Sequence, residues 1–248
     1  MTVATDRSPG VDTPAALDFM GEILARLDRA DLTAMTAALE AKSAWMAHTL
    51  QPHRLERLDD AQLYTLLRSC FPARRRARAI VETVGAVQLR SSLAVLVSRD
   101  GPLAERVEGF DRELFDFEEV TVDLAWELLH LHDPTRYWLW TRWMWNPRTE
   151  TGALRLVTAD EVDLYGTERV ETYAKVGSAL AVVHDTVRAL GLVEDSPFGV
   201  DVFLACVYGV YMYTVLRMRM SQEFNRIVPE LPSLARRLLG IHERLWEE

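Results

Sequence analysis

The feature that most constrains the fold is an uncharged segment of fifteen residues, VFLACVYGVYMYTVL, at residues 202–216. A helix with apolar side chains on nearly all sides is buried in a protein core or in a membrane. Fifteen residues are too few to cross a bilayer, which takes about 20. The segment therefore predicts a long buried helix, running from Ser196-Pro197 to about residue 227, and no membrane span.

Apolar residues recur at helical spacing through most of the rest of the chain and predict a bundle around this central helix. The first helix follows Thr13-Pro14, because threonine suits the N-cap and proline suits the first helical position. Asp31 and Asp59 are predicted to cap the second and third helices. Further helices are expected at residues 73–98 with a hinge near Gly85, and at 103–114, 118–131, 167–190 and 231–245. The predicted fold is mainly α.

Residues 139–158 interrupt the helical pattern. Bulky aromatic residues at 139–145 and a short apolar run at 153–158 flank a turn-forming stretch at 146–152. Two such runs around a turn predict one small β-hairpin. The alternative is a helix over residues 134–145, for which Asp133 would be the N-cap.

The length and net charge of the chain limit its domain organisation and the class of partner that it can bind. We expect a short disordered arm at residues 1–13 and a single helical domain at residues 14–248, since nothing in the sequence divides the chain. The first residues lack a basic stretch followed by an apolar one, so no secretory signal is predicted. A net charge of −9 opposes binding to a phosphate backbone, which makes nucleic acid an unlikely partner.

The two cysteines, Cys70 and Cys206, both stand among apolar residues. Two isolated cysteines do not form a disulfide framework, and buried free thiols are the expected state. Free thiols favour a reducing compartment, and we expect a cytoplasmic location.

An aromatic run between residues 136 and 145 predicts an interaction surface. Its rings lie too close together in sequence for one face of a helix or strand to bury them all. Exposed tryptophans favour association, so a protein partner, another subunit or a planar ligand should cover them. The alternative is a core-forming hairpin. The predicted surface comprises Arg136, Tyr137, Trp138, Trp140, Arg142, Trp143 and Trp145.

Histidines and carboxylates near residue 130 are candidate ligands for a divalent metal. Glu127 and His130 form Glu-x-x-His, a spacing that di-iron carboxylate bundles use on several helices. With Glu127, the segment His130-x-His132-Asp133 contains enough nitrogen and oxygen ligands for one ion. The alternative is a solvated acidic helix face with a capped end. The face comprises Asp116, Glu119, Asp123, Glu127 and His130.

The string ALAVVHDTVRALGL, at residues 179–192, resembles the His-Asp segment of HD-domain phosphohydrolases, which build metal sites in all-helical folds. The resemblance covers about fourteen residues. It implies His184 and Asp185 as metal ligands and Asp201 as a later one. The alternative is that His184 is a hydrogen-bonded core histidine.

An arginine cluster precedes and opens the predicted helix after Pro72, where backbone N–H groups also favour anions. A phosphate group or an acidic protein surface could dock there. The alternative is a solvated helix face. The cluster comprises Arg68, Arg74, Arg75, Arg76 and Arg78.

No Ser/His/Asp order, nucleophilic cysteine context, glycine-rich phosphate loop or zinc-type cysteine pairing occurs in the sequence. These absences make catalysis less expected. We therefore expect a soluble accessory, adaptor or regulatory protein that acts by association, and no cofactor is predicted apart from the divalent metal considered above. One alternative is a metal-dependent enzyme that uses the histidines and carboxylates named above. Another is a helical protein that binds a small molecule among tryptophan and tyrosine rings, with Arg142 or His132 orienting it.

Overall fold

The computed structural model describes residues 10–220, 230–241 and 245–246. Within these residues it contains eleven α-helices and no β-strand, so the mainly α prediction is confirmed. The helices are α1 (Thr13–Leu24), α2 (Arg29–Thr49), α3 (Pro52–Leu55), α4 (Asp60–Ser69), α5 (Ala77–Val84), α6 (Ala86–Val97), α7 (Leu103–Glu113), α8 (Glu118–His132), α9 (Arg169–Ala189), α10 (Gly199–Met220) and α11 (Leu231–Leu238).

The chain groups into two compact units. Unit 1 comprises Met1–Thr36 and Arg142–Arg236, and unit 2 comprises Ala37–Thr141 and Arg237–Glu248. Helix α2 contributes residues to both. That residues 14–248 form a single domain stays a prediction.

The predicted disordered arm at residues 1–13 is in part an ordered element of unit 1. Residues 1–9 lie outside the described residues. Val11 is buried and forms an isolated antiparallel bridge with Thr158. Asp12 is the N-cap of α1, since its side chain accepts a hydrogen bond from a backbone N–H of the first turn. The end of the predicted arm therefore anchors the first helix.

Side-chain caps explain where two further helices begin. As predicted, α4 follows Asp59, which forms a capping box with Gln62. The predicted cap of α2 is wrong, because α2 already begins at Arg29. The Asp31 N–H donates to the Asp28 side chain at 2.8 Å, so Asp28 takes the role of the cap.

The long apolar helix of unit 1 is α10, which begins slightly later than predicted. The Gly199 N–H donates to Ser196 O at 3.0 Å, so Ser196 belongs to a turn that leads into the helix. Residues 200–207 are all buried, as a central helix requires. The predicted continuation of this helix to about residue 227 extends beyond the described residues.

In unit 2, α8 is the most deeply buried helix. Every residue from 123 to 131 is buried, so the interpretation of its acidic side as a solvated face is wrong for most of its length. The buried members of that face are Asp123, Glu127 and His130, and the exposed members are Asp116 and Glu119.

The predicted β-hairpin at residues 139–158 is wrong. This segment consists of turns and a short 3-10 turn, with an isolated bridge between Asn146 and Thr151. The Ala153 N–H donates to Trp143 O at 2.9 Å, so the chain folds back on itself without forming a ladder. A hairpin exposes alternate side chains, whereas residues 139–141 and 143–145 are all buried.

The hinge predicted near Gly85 is confirmed, since α5 ends there and α6 begins directly after it. Together α5 and α6 have the length and hydropathy of a membrane span, but they meet at a bend of 105°. Within the described ranges, none of the helices reaches that length and hydropathy alone.

Candidate functional site

Three helices of unit 1 line a pocket with a volume of about 120 Å³. The residues contributed by α2 and by α10 are spaced i, i+3, i+4 and i+7, so each set forms one face of its helix. Helix α1 and the loop after α9 complete the wall. The lining residues are Met20 and Ile23 of α1, Arg29, Leu32, Thr33 and Thr36 of α2, Leu192, Val193 and Glu194 of the loop, and Gly199, Val202, Phe203 and Cys206 of α10.

The floor of the pocket is apolar and consists of Met20, Ile23, Val202, Phe203 and Cys206. All five are buried. Burial raises the pKa of the Cys206 thiol to about 12. Because the thiolate is the nucleophilic form, this cysteine acts as a small apolar wall at neutral pH. The floor suits an apolar group rather than covalent chemistry.

The mouth of the pocket is polar and is lined by Arg29, Thr33 and Glu194. Arg29 Nη1 donates to Gly191 O at 3.1 Å, and the Thr33 hydroxyl donates to the Glu194 carboxylate. These two hydrogen bonds tie the loop after α9 across the first two turns of α2. The loop therefore places a carboxylate beside the guanidinium end of the pocket.

Gly199 allows the loop to close against the start of α10. A Cβ atom at this position would lie 2.9 Å from Glu194 O and 3.2 Å from Val193 Cβ. Backbone cannot give way as a flexible side chain can, so any larger residue would push the loop outward. The shape of the mouth depends on this glycine.

Sequence reasoning missed this pocket. The sequence feature that could have revealed it is the i, i+3, i+4, i+7 spacing of four α2 residues, which places polar and apolar side chains on one helix face. These residues are Arg29, Leu32, Thr33 and Thr36. Such spacing also describes an ordinary boundary between core and solvent. Only the approach of residues 192–194 distinguishes a pocket from that boundary.

The aromatic run does not form the exposed surface that the sequence predicts. Trp140, Trp143 and Trp145 are 3%, 6% and 0% exposed, Tyr137 is buried and Trp138 is half-buried. The backbone here is neither helix nor strand, so the rings are not confined to two faces and can turn inward together. The predicted association with a partner relied on this run being exposed, so its proposed surface is missing. Association itself stays a prediction. The arginines of the run are Arg136, which is exposed, and Arg142, which is half-buried.

Each unit uses rings of this run in its own core. In unit 2 the centroids of Trp126 and Trp140 are 5.8 Å apart. In unit 1 Trp145 meets Tyr165 edge to face at 5.5 Å, and Trp143 has an indole N–H that is buried. Aromatic pairs at these separations stabilise beyond their buried area.

Three of the four predicted metal ligands of unit 2 have other partners. Glu127 is paired with Lys42, and His130 Nδ1 lies 2.7 Å from Tyr137 O. Asp133 forms an ion pair with Arg99 at 3.0 Å. His132 is half-buried, and burial lowers its pKa. The contacts of Glu127, His130 and Asp133 therefore serve the fold of α8 and of the turn that follows it.

The HD-like residues of unit 1 also have local partners. His184 Nε2 lies 3.3 Å from Ser196 O, and its Nδ1 lies 3.5 Å from Asp185 Oδ1. Asp201 is buried at the start of α10. In the part of the chain that the structure describes, no three His, Cys, Asp or Glu side chains form a group that could hold a metal ion.

The arginine cluster lies in unit 2, partly around one tyrosine. The guanidinium carbons of Arg68 and Arg78 are 5.9 and 5.5 Å from the Tyr64 ring centroid. Arg76 Nε lies 3.5 Å from the Glu119 carboxylate. A role in anion binding stays a prediction. The exposed members are Arg75, Arg76 and Arg78, and the half-buried members are Arg68 and Arg74.

Unit 2 also contains a buried ionic network that the sequence analysis missed. Lys42 Nζ donates to Glu127 Oε1 at 3.0 Å and to Leu239 O at 3.3 Å. The Phe71 N–H donates to both oxygens of Glu127. Burial raises the pKa of Glu127, and Lys42 opposes the rise. Burial and the charge of Glu127 also raise the pKa of the Cys70 thiol.

Comparisons with protein-family models, curated proteins and solved structures found no match to this chain. A function therefore has to be inferred from the side chains themselves. The pocket of unit 1 combines a buried apolar volume with polar groups at its opening, which is the usual composition of a small-molecule site.

Proposed function

We propose that this protein binds a small, largely apolar molecule in the pocket of unit 1. The observation that carries the proposal is a pocket of about 120 Å³ with an apolar floor and a polar mouth. An apolar cavity of about 150 Å³ is sufficient to bind benzene. The floor therefore suits a branched aliphatic or a small aromatic group. Such a ligand stabilises the protein because it removes apolar surface from water.

The test is titration of the full chain with benzene and with isoamyl alcohol, followed by NMR of the backbone amides. We expect saturable shifts that concentrate in α1, the first two turns of α2 and the start of α10. Absence of saturable shifts, or shifts elsewhere, would overturn the proposal.

Two variants fill the pocket from two different helices of its floor. Cys206→Leu adds volume from α10 and Ile23→Phe adds volume from α1, and each should weaken binding at least tenfold. The matched control is Val207→Leu, which enlarges a buried residue of α10 outside the lining set. If a folded filling variant bound as well as the control, the ligand would not occupy this pocket.

A further inference from the structure

The mouth of the pocket contains one positive and one negative side chain, Arg29 and Glu194. Arg29 uses one amino group on Gly191 O, and Glu194 accepts from the Thr33 hydroxyl. Across the described ranges, neither side chain forms an ion pair with the other or with a third residue. Most N–H donors of the guanidinium and one carboxylate oxygen are therefore available to a ligand.

Arg29 and Glu194 have opposite charges, and each is held by a neutral partner. Together they favour a ligand whose head group has both a negative and a positive charge. A ligand carboxylate would meet the fork of N–H donors on Arg29, and a ligand ammonium would meet Glu194. A ligand with a single charge would gain one of these contacts and be repelled by the other side chain. The mouth therefore selects against simple anions and simple cations.

We infer that the ligand is a free amino acid with a small apolar side chain, bound as a zwitterion. The inference rests on the proposed function, because the side chain would occupy the same floor. Val202 and Phe203 follow Gly199 by about one helical turn and belong to the floor, so an α-carbon held at the mouth would direct its side chain towards them. The buried Thr36 hydroxyl donates to Leu32 O of its own helix at 3.2 Å. Its side chain is neutral, so the lower wall contains no charged group.

The test is isothermal titration of the full chain with four compounds that share one branched hydrocarbon. Leucine has both charges, 4-methylpentanoate has the carboxylate, isoamylamine has the ammonium and isoamyl alcohol has neither. We expect leucine to bind at least tenfold more tightly than each of the other three. Equal affinity for leucine and isoamyl alcohol, or tighter binding of either singly charged compound, would overturn the inference and leave pocket binding intact.

Charge-neutralising variants separate the two contacts. Arg29→Gln should weaken the binding of leucine and of 4-methylpentanoate but not that of isoamylamine. Glu194→Gln should weaken the binding of leucine and of isoamylamine but not that of 4-methylpentanoate. Arg148→Gln and Glu161→Gln are matched controls, since both positions are exposed in unit 1 and outside the pocket. Variants that behave like their controls would refute the inference. If benzene and all four compounds failed to bind the wild-type protein, the proposed function would fail with it.

Discussion

Lys42 and Glu127 form an ion pair whose Nζ and Oε1 atoms are 3.0 Å apart, with side chains 0% and 6% exposed. Removing one partner of a buried pair leaves the other uncompensated, which costs about 3–5 kcal/mol. We expect Lys42→Met to lower the free energy of unfolding by this amount, and Lys42→Met with Glu127→Met to recover part of the loss. Urea unfolding of the single and double variants measures the coupling.

The control for this pair is an exposed ion pair of the same unit. Arg99→Met removes the contact with Asp133, in which the arginine side chain is 76% exposed. Exposed pairs contribute roughly 0–1 kcal/mol. A loss for Lys42→Met no larger than that for Arg99→Met would contradict a stabilising role for the buried network.

Gly240 approaches the same network, and its substitution should disturb it. Its φ is +64°, and an added Cβ would lie 2.6 Å from Lys42 Nζ and 2.7 Å from Ser69 O. Gly101 has a similar φ of +77° but nothing within 4 Å of an added Cβ. Gly101→Ala therefore reports backbone strain alone, about 1 kcal/mol, and Gly240→Ala should cost about 1–3 kcal/mol more through overpacking. Equal losses in thermal or urea unfolding would show that the close approach has no energetic consequence.

Trp145 distinguishes a core role from an interface role for the aromatic run. Because this side chain is fully buried and meets Tyr165 edge to face, Trp145→Ala should lower the free energy of unfolding by about 3–5 kcal/mol. Trp138 is half-buried, and Trp138→Ala should cost less than half as much. Unfolding curves of the two variants measure the difference. A Trp145→Ala protein of wild-type stability would favour the surface that the sequence predicts.

His132 should make stability depend on pH. Burial lowers its pKa below the ordinary value of 6.5, with Arg99 contributing in the same direction and Asp133 opposing. The unfolded chain then takes up the proton first, so the free energy of unfolding should fall as the pH drops below about 6.5. His132→Asn should reduce this slope in urea unfolding at a series of pH values. The control is His48→Asn at an exposed position, and equal flattening by both variants would contradict the assignment.

Local sequence patterns were sufficient for most of the helices and for several of their ends. The capping box of Asp59 and Gln62 and the break at Gly85 depend on residues within a few positions of each other, so they can be recognised without tertiary contacts. The same local reasoning failed at residues 139–158. Aromatic residues there suggested strand alternation, but an irregular backbone buries them on every side.

Burial on α8 could not be predicted from spacing alone. Glu127 and His130 lie on a helix face that is rich in acids, and such faces are usually solvated. Their partners come from elsewhere in the chain: Lys42 is 85 residues from Glu127 and follows the apolar positions Met35 and Leu39 on the buried side of α2. A lysine among apolar positions of α2 was the available signal in the sequence that a buried acidic partner exists.

The sequence by itself determined a mainly helical chain with a central apolar helix, because periodicity and capping are properties of neighbouring residues. Only the tertiary structure decided which side chains meet. The contact between Thr33 and Glu194 joins residues 161 positions apart, and the loop that makes it creates the mouth of the pocket. No local pattern encodes that approach, since it depends on how α1, α2 and α10 pack and on the space that Gly199 leaves for the loop.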